Sequence, residues 1–173
     1  MKFICNKDTI LSVVQTTSKA AAGKSSIQAL EGILMELEGN TLTVTGYDLD
    51  IGIKTSIDVE GIESGNIVIS AKMAVDIIRK MPSGSITFEC SGNNLAEITN
   101  NMTSFSVSCS SADDYPNVPQ VNPDTSFTMP QKLLKSMIIQ TKFAVAVVDS
   151  KPALMGCKFE LENNVLSVAA VDG

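Results

Sequence analysis

The chain contains no histidine and no tryptophan, and only two of its 173 residues are tyrosine. Without histidine it lacks the commonest general base and the usual partner of a nucleophilic serine or cysteine. Its cysteines (Cys5, Cys90, Cys109 and Cys157) stand far apart, with no C-x-x-C pair. This spacing disfavours a zinc site or a disulfide framework, so we expect no metal, no cofactor and small buried thiols in a reduced protein.

The sequence also lacks a long apolar run. No stretch approaches the roughly 18 apolar residues that span a bilayer, and the N-terminus lacks the apolar segment of a signal peptide. With 44% apolar and 18% charged residues, the composition is typical of a globular protein. We therefore expect a cytoplasmic protein with no membrane partner.

A repeat is the most informative feature that is present. Residues 32–48 align without a gap with residues 156–172 at an offset of 124, and eight of the 17 aligned positions are identical. Phe3 and Phe127 obey the same offset, and each precedes an amphipathic stretch. A duplication accounts for this agreement better than chance or a shared hairpin composition.

The duplication predicts the domain organisation. We expect one complete domain over residues 1–121 and the first part of a second, truncated domain over residues 122–173. Residues 113–123 contain three prolines and suit an extended linker between the copies. The native polypeptide is therefore expected to continue beyond Gly173.

Helical periodicity marks three segments. The first covers residues 7–19. The second covers residues 71–81 with an N-cap at Ser70, and its apolar face consists of Ala74, Ile77, Ile78 and Met81. A third helix follows Pro130, which suits a first-turn position. Its apolar face consists of three residues that we expect to be buried: Leu134, Met137 and Ile138.

Strand signals surround these helices. Apolar residues alternate with polar ones over residues 51–57 and 105–109, which is typical of half-buried strands. Residues 38–40 and 162–164 have the Gly and Asn content of tight hairpin turns. Helices and antiparallel strands in duplicated units indicate an α+β fold.

The net charge of −6 hides an uneven distribution of charge. The helical segments and their exits, residues 7–24, 70–81 and 130–151, hold ten of the 13 basic residues but three of the 19 acidic ones. If these helices share one surface, that surface would attract a polyanion such as DNA. Lysines that merely solvate exposed helix faces would give the same count, so both interpretations stay open.

Several passages of the chain resemble the bacterial β sliding clamp family, the β subunit of DNA polymerase III. They are residues 1–3, 46–50, 143–146, 150–156 and 171–173, together with the most specific one, Ala-Asp-Asp-Tyr-Pro-Asn-Val-Pro at 112–119. The resemblance covers the whole chain but only the first half of a typical clamp protomer. It implies a DNA-clamp fold, in which duplicated domains carry helices on one face and antiparallel sheets on the other. Two protomers would join head to tail in a ring whose helices face double-stranded DNA.

The resemblance implies DNA contacts at Lys24, Lys72, Lys151, Pro152 and Ala153. The family often has arginine at the three lysine positions. Lysine keeps the charge but not the two-pronged geometry, which suits mobile contact with phosphates.

The resemblance also implies two protein contacts. Phe105 and Val107 would meet the other protomer of a homodimer, although both could equally be ordinary core residues. Leu154, Val171 and Gly173 would form the edge of a groove for short linear peptides of the polymerase catalytic subunit and the clamp loader. The family usually has threonine in place of Val171.

The predicted function is that of a non-catalytic processivity factor, which encircles duplex DNA and tethers the replicative polymerase. One alternative is an enzyme with Asp48, Asp50 and Asp172 as paired or metal-binding carboxylates, although their place at a strand end fits turn capping better. Another alternative is an adaptor that uses the fold for protein contacts without binding DNA.

Overall fold

The computed structural model describes residues 1–92, 94–120, 126–148 and 151–172. The chain divides into two compact units, Met1–Gln120 (unit 1) and Val121–Gly173 (unit 2). Unit 1 contains the strands β1 (Lys2–Asn6), β2 (Gly32–Glu38), β3 (Thr41–Tyr47), β4 (Gly52–Asp58), β5 (Glu60–Glu63), β6 (Gly65–Ser70), β7 (Ser85–Cys90), β8 (Leu95–Thr99) and β9 (Ser104–Ser110), and the helices α1 (Lys7–Thr17) and α2 (Ala71–Lys80). Unit 2 contains α3 (Gln131–Thr141), β10 (Lys158–Glu162) and β11 (Val165–Ala169).

The strands of unit 1 form one antiparallel sheet in the order β4-β3-β2-β6-β9-β8-β7-β1-β5. The two end strands, β4 and β5, are consecutive in sequence and are separated only by Val59. One run of chain therefore pairs first with β3 and then with β1. At the change of partner, the Val59 amide donates to the Asn40 carbonyl at 2.8 Å. This run of chain brings the two ends of the sheet together.

The two helices of unit 1 lie side by side on this sheet. Helix α1 packs against β3, β4 and α2, and α2 packs against β2, β6 and β9. The predicted apolar face of α2 is confirmed, because Ala74, Ile77, Ile78 and Met81 are all buried. The predicted N-cap is also confirmed, since the Ser70 hydroxyl accepts a hydrogen bond from the amide of Met73. Helices and an antiparallel sheet give the predicted α+β class.

The repeat has a direct structural counterpart. Helix α1 runs from Lys7 to Thr17, and α3 runs from Gln131 to Thr141. Both ends of α3 therefore lie 124 residues after those of α1. The β2–β3 and β10–β11 hairpins share one register, in which Leu37 faces Leu42 and Leu161 faces Leu166. The predicted turns close both hairpins, with positive φ at Gly39 in one and at Asn163 and Asn164 in the other. The duplication is therefore a duplication of structure as well as of sequence.

The expected burial of the third helix is wrong. No residue of α3 is buried, and Leu134 and Met137 are only half-buried while Ile138 is 37% exposed. The described part of unit 2 offers this helix one two-stranded hairpin, whereas α1 packs on a nine-stranded sheet. Pro130 is the N-cap residue of α3 and not a first-turn residue.

The predicted linker is partly packed. Residues 112–114 form a short 3-10 helix, and Tyr115 behind it is buried against Leu30, Tyr47 and Val68. The last residues of the linker and the predicted boundary between 121 and 122 lie outside the described residues. Among the residues that the structure describes, no helix is long and apolar enough to cross a membrane.

Candidate nucleic-acid interface

A cluster of basic side chains occupies the solvent side of the helices in unit 1. We call it the helix face, and it consists of Lys19, Lys24, Lys72, Arg79 and Lys80, all of which are exposed. Lys19 and Arg79 line a groove of about 430 Å³ between α1 and α2. Lys72 and Gly23, the residue before Lys24, line a second cavity of about 980 Å³ at the ends of these helices. The fold thus brings the predicted positions Lys24 and Lys72 to one region of the surface.

Two features of the backbone place these lysines. The Ser70 cap starts α2, so Lys72 is exposed in its first turn. Lys24 lies in a loop in which the Ala22 amide donates to the Leu30 carbonyl at 2.8 Å. The end of α1, which precedes this loop, can approach β3 because Gly46 has no side chain, since a Cβ there would lie 2.0 Å from the Thr17 carbonyl oxygen.

The basic residues of the strands are neutralised by neighbours. Each has a carboxylate partner, in the pairs Lys2–Glu89 at 2.8 Å, Lys54–Glu36 at 3.9 Å and Lys158–Glu160 at 2.7 Å. The hydrogen bond and the positive charge of Lys2 lower the pKa of Glu89. The positive charges of the strand lysines are therefore largely balanced by carboxylates of the protein itself.

The helix face differs from the strands. Within the described ranges, Lys19, Lys24, Lys72 and Lys80 have no carboxylate oxygen within 4.0 Å, while Arg79 has Asp76 at 3.7 Å. Three acidic residues also line the larger cavity: Glu31, Asp76 and Asp114. The Glu31 carboxylate accepts the Ser25 amide at 3.1 Å and so helps to hold the Lys24 loop. The helix face can therefore offer several exposed cations to an external anion.

Lys19 and Arg79 are residues that the sequence reasoning did not assign to a site. Both belong to the basic helical segments, so their charge was visible in the sequence. Their common groove depends on how α1 packs against α2, which periodicity does not reveal.

In unit 2, the turn with the predicted contacts Lys151, Pro152 and Ala153 repeats the Lys24 loop. The Ala146 amide donates to the Leu154 carbonyl at 3.0 Å, as Ala22 does to Leu30 at an offset of 124. All three predicted residues are exposed, and Pro152 opens a short 3-10 helix. Val148 stands at the position equivalent to Lys24 and is 88% exposed, so unit 2 does not repeat that lysine.

The predicted dimer contacts lie on β9. Val107 is buried and Phe105 is half-buried, and both pack in the core of unit 1. Ser104–Ser108 pair with β8 on one side, while β6 pairs with β9 only at Cys109 and Ser110. Within the part of the chain that the structure describes, the other edge of β9 is open before Cys109.

The predicted groove edge is exposed in part. Leu154 is half-buried, Val171 is 58% exposed and Gly173 lies outside the described residues. At an offset of 124, Leu154 corresponds to Leu30 and Val171 to Tyr47, which are buried in unit 1.

In unit 1, a residue of the same chain covers Leu30 and Tyr47, the equivalents of Leu154 and Val171. Tyr115 packs on Leu30 and Tyr47, and its hydroxyl donates to the Thr45 carbonyl at 3.3 Å. In the sequence, this tyrosine stands in the passage at 112–119 that carries the family resemblance, and no local pattern there indicates that it is buried.

This burial predicts an alkaline sensitivity. Burial raises the pKa of Tyr115 to about 12, above the value of 10 for an exposed tyrosine. The neutral hydroxyl therefore contributes stability that is fully present below about pH 10 and is lost as the pH rises towards 12. Relative to Tyr115→Phe, the wild type should lose about 1 kcal/mol of unfolding free energy between pH 8 and pH 11. Urea unfolding of both proteins at pH 8 and pH 11 measures the difference, and a difference that is constant with pH would contradict the assignment.

Of the carboxylates considered for catalysis, Asp48 has a structural role. The Asp48 carboxylate accepts the Asp50 amide at 3.0 Å and the Ile51 amide at 2.7 Å, which fixes the β3–β4 turn. In the described ranges, no three His, Cys, Asp or Glu residues are grouped in a way that could hold a metal ion.

The fold and the helix face can now be compared with known proteins. Residues 1–119 match the family described as DNA polymerase III beta subunit, N-terminal domain. The beta sliding clamp of Halalkalibacterium halodurans is 33% identical over 99% of this chain and 47% of its own length. The DNA polymerase sliding clamp of Bacillus subtilis is 31% identical, with a TM-score of 0.87 over 99% of this chain and 47% of that one. The Helicobacter pylori beta clamp, solved with a DNA ligase peptide, is 22% identical with a TM-score of 0.87 over 99% of this chain and 49% of that one, and it shows the shared fold.

The chain belongs to the DNA polymerase III beta subunit family, that of the beta sliding clamps. This confirms the resemblance and the clamp fold predicted from the sequence. The family is one of non-catalytic processivity subunits, in agreement with the prediction that the chain is not an enzyme. The chain spans about half the length of the relatives that it matches.

Proposed function

We propose that this chain forms part of a DNA sliding clamp, a ring that encircles duplex DNA and holds the replicative polymerase on it. The observation that carries the proposal is the difference between the two kinds of lysine. Lysines on the strands are paired with carboxylates, and so is Lys7 of α1 with Asp8, whereas Lys19, Lys24, Lys72 and Lys80 have no such partner among the described residues. A polyanion that lay along the helices would supply the missing negative charge.

The proposed domain organisation is one complete clamp domain over residues 1–121 and the first part of a second over 122–173. Unit 1 is compact by itself, and the family match ends at residue 119. The recurrence of a helix, a loop and a hairpin at an offset of 124 supports a second copy of the same domain.

A ring needs little affinity, because its topology retains the DNA. The contacts should then be few, directed to phosphates and sensitive to salt, so that the clamp can slide. We assign these contacts to Lys24, Lys72, Lys151, Pro152 and Ala153. Lysine suits this role because its ammonium group attracts phosphates without the fixed two-pronged geometry of arginine.

Ring closure is proposed to use the edge of β9. Main-chain groups of Ser104–Ser108 are available on one side for pairing with a strand of another protomer. Phe105 and Val107 lie on this segment and would contribute apolar contacts in a head-to-tail homodimer.

Partner proteins are proposed to bind through short linear peptides at Leu154, Val171 and Gly173. The exposed Val171 and half-buried Leu154 offer apolar surface for such a peptide. The peptide bound to the Helicobacter pylori clamp supports this mode of binding in the family. The polymerase catalytic subunit and the clamp loader would be such partners, in the cytoplasm.

The test is the retention of the full-length protein on DNA. After loading, the protein should remain on closed circular duplex DNA and should leave the same DNA once it is cut to a linear form. Equal retention on both forms at moderate salt would contradict encirclement. An absence of any association with DNA by the intact oligomer would instead favour an adaptor that binds only proteins.

A further inference from the structure

Two thiols that the proposed function does not use lie in contact. The sulfur atoms of Cys90 and Cys109 are 3.3 Å apart, and neither residue is in a disulfide. Cys90 ends β7 and Cys109 lies near the end of β9, with β8 between the two strands. The intervening residue that pairs with Cys90 is Ala96, and Ala96 pairs in turn with Val107. Cys109 is on the same face as Val107, and the small Ala96 leaves room for the two thiols to meet above it.

We propose that Cys90 and Cys109 are a redox-sensitive pair that forms a reversible disulfide on exposure to a small neutral peroxide. The Cys90 thiolate attacks one oxygen of hydrogen peroxide and breaks the O–O bond, which gives a sulfenic acid and hydroxide. The Cys109 sulfur then displaces the hydroxyl group from the Cys90 sulfur. One S–S bond forms, the two thiols lose two electrons and two protons, and the peroxide becomes two molecules of water.

The surroundings determine the order of these steps and the kind of oxidant. Cys90 is half-buried and Cys109 is buried, and burial raises the pKa of Cys109 to about 12. Cys90 is therefore the thiol that the oxidant meets first, and Cys109 reacts as the resolving partner. The sulfurs must approach by roughly 1.3 Å more to reach the about 2.0 Å of a disulfide bond.

The burial of the pair favours a small oxidant. Cys109 lines the cavity of about 980 Å³ and is buried, and Cys90 is half-buried outside that lining, so neither sulfur lies on an open surface. Hydrogen peroxide is small enough to reach such a sulfur, whereas a bulky disulfide such as oxidised glutathione is not.

The disulfide bond would also stabilise the part of the sheet where the pairing between strands is short. Strand β9 joins β6 through only two residue pairs, Val68–Ser110 and Ile69–Cys109. A disulfide from Cys109 to β7 would anchor β9 directly beside this short ladder.

Peptide mapping of the peroxide-treated protein tests the proposal. Cleavage after Glu89, Glu97 and Lys132 places Cys90 in the peptide 90–97 and Cys109 in the peptide 98–132. We expect these two peptides to be recovered mainly as one linked species, lighter than their sum by two hydrogen atoms and separated again by dithiothreitol. The peptides 3–7 and 143–158, which carry Cys5 and Cys157, should still be alkylated as free thiols.

Variants distinguish this pair from general oxidation. Cys90→Ser and Cys109→Ser should each abolish the linked species, whereas Cys157→Ser should form it as the wild type does. If a serine variant does not fold, the map of the wild-type protein still decides the question. Links to Cys157 or between chains, oxidation of Cys90 to the sulfinic acid with Cys109 left free, or no reaction of either thiol would each overturn the proposal.

Discussion

Replacing Lys24, Lys72 and Lys151 together with alanine should weaken the binding of duplex DNA by the full-length protein at least about tenfold at roughly 0.1 M salt. Each lysine that neutralises a phosphate releases counterions, so its loss reduces both the affinity and the salt dependence. The slope of log K against log salt should become shallower by up to about three charges per protomer. Fluorescence anisotropy with a labelled duplex over a series of salt concentrations measures both quantities.

The chain offers a matched control for this variant. Lys2, Lys54 and Lys158 are also three lysines, but they lie on strands and are paired with carboxylates. Their replacement by alanine changes the net charge by the same amount, and we expect the salt slope to stay as in the wild type. An equal loss in both variants would mean that net charge, and not the position of Lys24, Lys72 and Lys151, governs binding. An unchanged slope in the first variant would remove its residues from the site.

Gly61→Ala should lower the unfolding free energy by about 3 kcal/mol or more. A Cβ at Gly61 would lie 1.7 Å from the Gly39 carbonyl oxygen, and the obstacle is backbone that belongs to the β2–β3 turn. The Gly61 amide also donates to the Asn40 side chain at 3.0 Å, next to the bond from Val59 to Asn40. The added methyl group must therefore displace the turn where the two ends of the sheet meet. Urea unfolding followed by circular dichroism measures the loss.

Gly23→Ala is the control for this substitution. No atom lies within 4 Å of a Cβ built at Gly23, and its backbone does not have a positive φ. We expect its stability to remain within about 0.5 kcal/mol of the wild type. If Gly61→Ala proved as mild as Gly23→Ala, the close approach of β5 to the turn would be wrong.

The elements of the fold could be predicted where local chemistry determines them. Ser70 caps α2 as expected, and the Asn163-Asn164 turn closes its hairpin because both residues adopt positive φ. The meeting of the sheet ends at Val59 could not be predicted, because strand alternation does not say which strand is a neighbour. The burial of α3 was wrong for a related reason. Periodicity shows which face is apolar, but burial also requires enough surrounding structure to cover that face.

The candidate site was predictable only in part. The excess of lysine in the helical segments was visible in the sequence, and the resemblance to the clamp family selected Lys24 and Lys72. The groove shared by Lys19 and Arg79 required the packing of α1 on α2. The place of Tyr115 also required the structure, because its partners Leu30 and Tyr47 are distant in sequence.

The loop that carries Lys24 has main-chain hydrogen bonds that recur in the second copy. The Leu30 amide donates to the Ile27 carbonyl at 3.1 Å, and the Leu154 amide donates to the Lys151 carbonyl at 3.0 Å in the second copy. Side chains at the tip of such a loop can be exchanged with little cost to folding. The charge at this position can therefore differ between the two copies, as it does between Lys24 and Val148, without a change in these main-chain hydrogen bonds.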